Sequence, residues 1–148
     1  MKTAHNVSQQ STLAETDFSH FSPRAYLDEY HCDWDEEDEF LMAFLHDVYQ
    51  YLDPQRTLLE IGGGPTIHQL ISARNKVETI VFGEYLKKNR VEVKGWREAR
   101  KGAFSWDVYF EHVLKLERRS HEQSILEMKK TLRQKLRFIV PCNILEAR

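Results

Sequence analysis

Three consecutive glycines, Gly62, Gly63 and Gly64, follow an apolar run that begins at Leu58. Pro65 comes next, and apolar residues then recur at helical spacing, which predicts a strand, a tight turn and a helix over 66–74. Glycine permits positive φ angles and lets a ligand approach the bare backbone. A helix here would direct free N–H groups and the positive end of its dipole at one small volume. The pattern is typical of a site for a nucleotide-like or carboxylate-bearing ligand.

A second apolar run from Val77 ends in an acid, Glu84, about twenty residues beyond the glycines, where a βαβ nucleotide site has its ribose acceptor. Ile67 occupies the place of the third glycine of a dinucleotide fingerprint, and Pro65 also disfavours a nicotinamide-dinucleotide site. The Gly-Lys-Ser/Thr of a phosphate-binding loop is absent. S-adenosylmethionine has a ribose and an adenine but no phosphate, so these residues favour it as the ligand.

The segment from Glu60 to Leu70, EIGGGPTIHQL, resembles the DIGSGPTIYQL motif of the nicotinamide, phenylethanolamine and indolethylamine N-methyltransferases. These enzymes form a class I S-adenosylmethionine-dependent family, and the resemblance extends to 19–27, to 104–106 and to 142–144. It implies an α/β, Rossmann-like class I methyltransferase fold with N-terminal capping helices and a parallel sheet of order 3-2-1. Because members of the family are considerably longer, it also implies a fold truncated after the third strand.

The resemblance assigns roles to individual residues. Tyr26 matches a family tyrosine at the cofactor and acceptor pocket, and we predict it to be catalytic, with its ring face meeting the sulfonium by cation–π attraction. His31 and His68 stand where the family has tyrosines, and Asn143 stands where an aspartate accepts from the adenine amino group. No metal ligands are predicted. The predicted cofactor-binding residues are Tyr26, His31, Gly62, Gly63, Gly64, Thr66, His68, Glu84, Asn89, Asn143 and Ile144.

The function implied is S-adenosylmethionine-dependent N-methylation of a small amine or heteroaromatic nitrogen. Methyl transfer from a sulfonium needs no nucleophilic side chain, because holding the reactants in line is worth on the order of 7–11 kcal/mol. The alternative is a truncated S-adenosylmethionine-binding module, or an inactive remnant, that needs a partner chain. An uncovered first strand at the sheet edge would favour such pairing or self-association.

The composition is that of a globular protein, with 148 residues, 41% hydrophobic and 30% charged. A net charge of −2 gives no tendency toward nucleic acid. The sequence has no apolar run long enough to span a membrane and no signal-peptide pattern, which predicts a cytoplasmic protein that does not bind membranes. Only Cys32 and Cys142 are present, and buried thiols are favoured over a disulfide or a zinc site.

The polar residues 1–16 lack periodicity and predict a mobile tail. One partial methyltransferase domain is predicted over 17–148, with cap helices over 17–53 and the cofactor-binding half of the sheet over 54–148. Pro23 is expected to open a short helix, and the acids between Asp33 and Glu39 to begin a longer one. The basic helix over 85–100 is interpreted as a solvated face rather than a nucleic-acid surface, and 136–140 as the third strand.

Overall fold

A three-stranded parallel sheet lies at the centre of the fold, formed by Gln55–Ile61 (β1), Val77–Glu84 (β2) and Leu136–Pro141 (β3). The computed structural model describes residues 18–118 and 121–144, so the predicted tail over 1–16 lies outside the described residues. β2 is the central strand, and the predicted order 3-2-1 is therefore confirmed. The two strands predicted at the glycine site end at Ile61 and Glu84, as expected.

The described part of the chain also contains five α-helices. They are Pro23–Tyr30 (α1), Glu36–Tyr51 (α2), Lys87–Arg97 (α3), Asp107–Leu116 (α4) and His121–Lys135 (α5). None of these helices combines the length and the apolar character that a membrane span requires.

Side-chain caps explain where the first two helices begin. The Ser22 hydroxyl accepts a hydrogen bond from the Ala25 N–H, and Pro23 occupies the first turn, where no backbone donor is needed. The Asp35 carboxylate accepts from the Asp38 N–H at 2.9 Å, and the four residues that follow Asp35 are all acids that complement the helix dipole. Both predicted helix starts are confirmed.

The α-helix predicted over 66–74 is wrong. The chain instead forms two short 3₁₀ turns, His68–Leu70 and Ser72–Asn75, closed by bonds such as Leu70 N–H to the Ile67 carbonyl. The β-branched residues of this segment lower its helix propensity, and the buried Arg74 guanidinium donates to the Ile71 carbonyl at 2.7 Å. Pro65 consequently lies in a turn rather than at a first helical position, and this segment supplies no α-helix dipole at the glycines.

The two faces of the sheet differ sharply in burial. Leu58, Ile80 and Leu136 lie in register on one face and pack into the common apolar core. On the opposite face Leu59 is 58% exposed and Phe138 is 54% exposed, and both flank Val81. No described element covers this second face, and β1 leaves one edge of the sheet unpaired. The exposed edge expected from the sequence is thus accompanied by a bare apolar face.

The prediction of buried thiols is wrong for Cys32, which is exposed, while Cys142 is half-buried. Cys32 lies in the loop between α1 and α2, where the side chains of the nearby His31 and Trp34 pack inward and the thiol does not. Cys142 follows β3, and its side chain lies over Gly83, where an added Cβ would approach it to 2.9 Å.

Two neighbouring leucines test this one-sided burial. Leu58→Ala should lower the free energy of unfolding by about 2 kcal/mol, because it removes apolar contacts within the core. The matched change Leu59→Ala should cost less than about 1 kcal/mol, because that side chain is largely solvated already. Guanidinium unfolding curves of both variants measure the difference. Equal costs would show that the bare face is covered in solution.

Candidate functional site

A cavity of about 490 Å³ opens at the carboxyl ends of β1 and β2. Its walls come from the N-terminal cap, the glycine turn, the end of β2 and the start of α3. The lining residues are Phe18, Phe21, Tyr26, His31, Gly62, Gly63, Gly64, Pro65, Thr66, His68, Glu84, Tyr85, Leu86 and Asn89.

Nine of the eleven predicted site residues lie in this lining. The other two, Asn143 and Ile144, follow β3 at the same end of the sheet but are not among the lining residues, and Ile144 is 76% exposed. The sequence interpretation missed two further groups of lining residues. Tyr85 and Leu86 could have been found as direct neighbours of Glu84, and Phe18 and Phe21 as aromatic residues of the predicted cap region.

The glycine turn leaves open space above the backbone. Gly62 has φ +73° and Gly64 has φ +61°, and a Cβ at either position would meet no atom within 4 Å. Gly63 serves a different purpose, because a Cβ there would lie 2.7 Å from the Phe82 ring. Two glycines therefore shape the turn beside the cavity, and the middle one permits packing against β2.

The Thr66 hydroxyl stabilises the glycine turn by hydrogen bonds. It lies 2.7 Å from the Gly63 carbonyl oxygen and 3.1 Å from the side-chain oxygen of Gln69. Gln69 in turn donates to Glu60 at 3.2 Å. Burial raises the pKa of Glu60, and this hydrogen bond partly offsets the effect. Thr66 thus holds the shape of the turn from within the protein.

The Glu84 carboxylate joins three parts of the site. It accepts from the Gly64 N–H at 3.0 Å, from the Leu86 N–H at 2.8 Å and from the Asn89 side-chain amide at 3.1 Å. The side chain is only 6% exposed. A carboxylate offers about four lone-pair positions, so three donors leave it room to accept one more.

Asn89 presents a second acceptor at the same place. Its NH₂ group donates to Glu84, which fixes the orientation of the amide, and its Oδ1 atom is buried without a hydrogen-bond partner. Buried polar atoms are nearly always paired, so an unpaired one beside a cavity indicates a missing donor. Glu84 and Asn89 together suit a ligand that offers hydroxyl groups.

Cationic side chains hold the N-terminal cap on α3. Arg24 pairs with Glu92 at 2.6 Å and donates to the Gly102 carbonyl at 2.9 Å, and Lys88 donates to the carbonyls of Ser19 and Phe21. Tyr26 is thereby placed in the cavity wall, with its ring centroid 5.7 Å from that of Phe21. The structure thus brings the predicted catalytic tyrosine to the same cavity as Glu84.

Two histidines form another part of the cavity wall. The ring centroids of His31 and His68 are 5.0 Å apart, and Trp106 and Tyr109 pack against both. Burial lowers the pKa of His31, and the Asp38 charge partly offsets this. Burial, with a smaller contribution from His31, lowers the pKa of His68 to about 3. Both imidazoles are therefore neutral near pH 7. Among the described residues, no group of His, Cys, Asp and Glu side chains is arranged to hold a metal ion.

The buried neutral His68 should make the fold acid-sensitive. As pH falls below 6.5, the unfolded chain binds a proton at this position, whereas the folded chain does so only near pH 3, so the free energy of unfolding falls. Between pH 7 and pH 4.5 the wild type should lose about 2–3 kcal/mol more than His68→Phe. Denaturant unfolding of both proteins at the two pH values measures this. Parallel losses would contradict the burial of an uncharged His68.

Comparison with known proteins identifies the family. The model of the NNMT/PNMT/TEMT family matches residues 9–148. Bovine phenylethanolamine N-methyltransferase is 39% identical over 89 residues, which cover 60% of this chain and 31% of the enzyme. Nicotinamide N-methyltransferases from pig and human are 29% and 30% identical over 143 residues, which cover 92% of this chain and 53% of each enzyme. The matched segments therefore span 31% to 53% of the length of these relatives, and the family match shows that the chain belongs to the NNMT/PNMT/TEMT family.

Proposed function

We propose that the chain forms the cofactor-binding part of an S-adenosylmethionine-dependent N-methyltransferase that acts on a small amine or heteroaromatic nitrogen. The observation that carries the proposal is the convergence of two acceptors, Glu84 and Asn89, beside an open glycine turn in one cavity. The relatives are named for phenylethanolamine and nicotinamide, which supports an amine or ring nitrogen as the methyl acceptor.

The residues present fit this cofactor. Glu84 and the unpaired Oδ1 of Asn89 suit the two hydroxyls of a ribose, since both atoms accept hydrogen bonds. Gly62 and Gly64 leave space in which a ligand can approach the backbone closely. Bound S-adenosylmethionine supplies an activated methyl group, so the protein has only to bind, orient and exclude water.

Tyr26 is proposed to orient the reacting groups. Its ring lies in the cavity wall within an aromatic group that includes Phe21 and His31, and an aromatic face attracts a cation such as a sulfonium. Asn143 and Ile144 are proposed to contact the adenine, because they follow β3 at the end of the sheet where the cavity opens. An Asn143 amide oxygen can accept from an amino group.

Calorimetry with S-adenosylmethionine tests the cofactor site. Glu84→Gln keeps the size of the side chain but removes its charge and replaces one acceptor by a donor, so we expect affinity to fall by about tenfold or more. Glu78→Gln is the matched control, because Glu78 is on the same strand but exposed and outside the cavity. The control should bind like the wild type. A folded wild type that binds no S-adenosylmethionine would overturn the proposal.

Methyl transfer with labelled S-adenosylmethionine tests the role of Tyr26, with phenylethanolamine and nicotinamide as probe acceptors. Tyr26→Ala should lower the rate by about 2- to 30-fold, the range that a lost cation–π contact represents. Tyr26→Phe keeps the ring and should retain most of the rate. A loss in Tyr26→Phe as large as in Tyr26→Ala would assign the effect to the hydroxyl instead of the ring.

A second candidate function is a binding module that requires a partner chain. The bare apolar face around Leu59 and Phe138 and the unpaired edge of β1 favour it, since exposed edges and large apolar patches are typical of interaction surfaces. Saturable cofactor binding without any methyl transfer would support this alternative. Sedimentation analysis would then show whether the chain associates, and Leu59→Lys should reduce that association.

A further inference from the structure

The two histidines of the cavity wall come from different parts of the fold. His31 follows the end of α1 in the N-terminal cap, whereas His68 begins the first 3₁₀ turn after the glycines. Their ring centroids lie 5.0 Å apart, and Trp106 lies 5.3 Å from His31 and 5.5 Å from His68. The cap and the glycine turn therefore meet through two imidazoles.

A hydrogen-bond chain fixes the tautomer of His31. The Tyr109 hydroxyl donates its only proton to Asp38 Oδ1 at 2.9 Å. The Tyr109 hydroxyl oxygen lies 2.9 Å from His31 Nδ1. Because its proton is already donated to Asp38, this oxygen must accept from His31, so Nδ1 carries the hydrogen. The remaining nitrogen, Nε2, has no hydrogen in the neutral ring and is buried without a partner. A proton taken up by His31 therefore goes to Nε2.

The surroundings of His31 oppose a positive charge. The side chains that face His31 are Tyr26 from α1, His68 from the turn and Tyr109 from α4. Burial and the hydrogen bond to Asp38 raise the pKa of Tyr109. Asp38 from α2 is the carboxylate that favours protonation of His31, and it acts through the Tyr109 hydroxyl. His68 is neutral and its Nδ1 atom is buried and unpaired, so it offers no negative charge that would compensate a positive charge on His31.

We propose that the His31–His68 pair makes the cavity discriminate between ligands by charge. When both rings are neutral, the cavity binds the sulfonium cation of S-adenosylmethionine. Protonation of His31 weakens that binding, whereas S-adenosylhomocysteine, whose thioether is uncharged, still binds. This inference rests on the proposed function. Its physical basis is that neutral aromatic and imidazole rings attract a cation, whereas a second cation in the same poorly solvated wall repels it. S-adenosylhomocysteine lacks only the methyl group and the sulfur charge, so it isolates the effect.

Calorimetric titrations with the two ligands between pH 8.0 and pH 5.0 test the proposal. The wild type should lose about tenfold more affinity for S-adenosylmethionine than for S-adenosylhomocysteine across this range. In His31→Phe the two ligands should keep a constant affinity ratio, after correction for the ligands' own titration, which is the same in every protein. His112→Phe is the matched control, because His112 is also half-buried with a lowered pKa and an unpaired Nε2 but lies outside the cavity lining. It should behave like the wild type.

The outcomes separate the inference from the proposed function. Failure of both ligands to bind at any pH would overturn the proposed function. Binding of both with the same pH dependence in the wild type would overturn the charge discrimination alone. If His31→Phe does not fold, His31→Asn keeps a donor near Tyr109 and should give the same constant ratio. NMR titration of the His31 ring gives a second measure, since S-adenosylmethionine should lower the pKa of His31 more than S-adenosylhomocysteine does.

Discussion

The carboxylate of Glu84 is the interaction on which the site depends. Its oxygens hold the Gly64 N–H of the glycine turn, the Leu86 N–H before α3 and the amide of Asn89 inside that helix. Hydrogen bonds to a charged group contribute roughly 1.5–3 kcal/mol each, and a buried carboxylate without them would be strongly destabilising. Because the three donors come from separate segments, one desolvated charge sets the relative positions of turn, strand and helix. The cavity is a consequence of that arrangement.

The N-terminal cap is attached differently. α1 buries only Leu27 fully. The cap is also attached by Arg24 and Lys88, which bind carboxylate and carbonyl oxygens, and by the hydrogen bond between His31 and Tyr109. Partly exposed ion pairs contribute little stability, so the cap is held less firmly than β2, whose Ile80 and Phe82 side chains are fully buried. Tyr26 and His31 on the cap also line the cavity, so a ligand that contacted them would strengthen the attachment of the cap.

Local chemistry made much of this fold predictable from the sequence. Two helix starts could be predicted because capping is a short-range interaction. One is marked by Ser22 with Pro23, and the other by Asp35 with the acids after it. The spacing from Gly62 to Glu84 predicted that both residues lie at the carboxyl ends of neighbouring strands, because parallel strands end on the same side of a sheet. The segment after Pro65 was predicted wrongly, because its helical apolar spacing reflects burial on several sides of a 3₁₀ turn. Contacts with distant residues set the conformation of that segment, notably the 2.6 Å ion pair between the buried Arg74 and Glu117.

Contacts between distant segments also explain what the sequence could not show at the site. The Asp38–Tyr109–His31 chain joins α2, α4 and the cap over more than seventy positions of sequence, and no local pattern reports it. The same applies to Asn89, whose unpaired oxygen is recognisable only when its other atoms are seen bound to Glu84. The sequence marked His31 and Asn89 as candidate site residues, whereas the directions of their hydrogen bonds and the tautomer of His31 required the fold.

The bare sheet face and the cavity meet where β1 ends. Ile61 is 51% exposed on the bare face, and the next residue is Gly62, whose positive φ begins the turn beside the cavity. Any chain segment that covers Leu59, Ile61 and Phe138 would also restrict the start of that turn. A ligand that fixes the turn from the cavity side restricts the same backbone. Since coupling between two sites is reciprocal, a partner on this face that altered ligand affinity would have its own affinity altered by the ligand by the same factor.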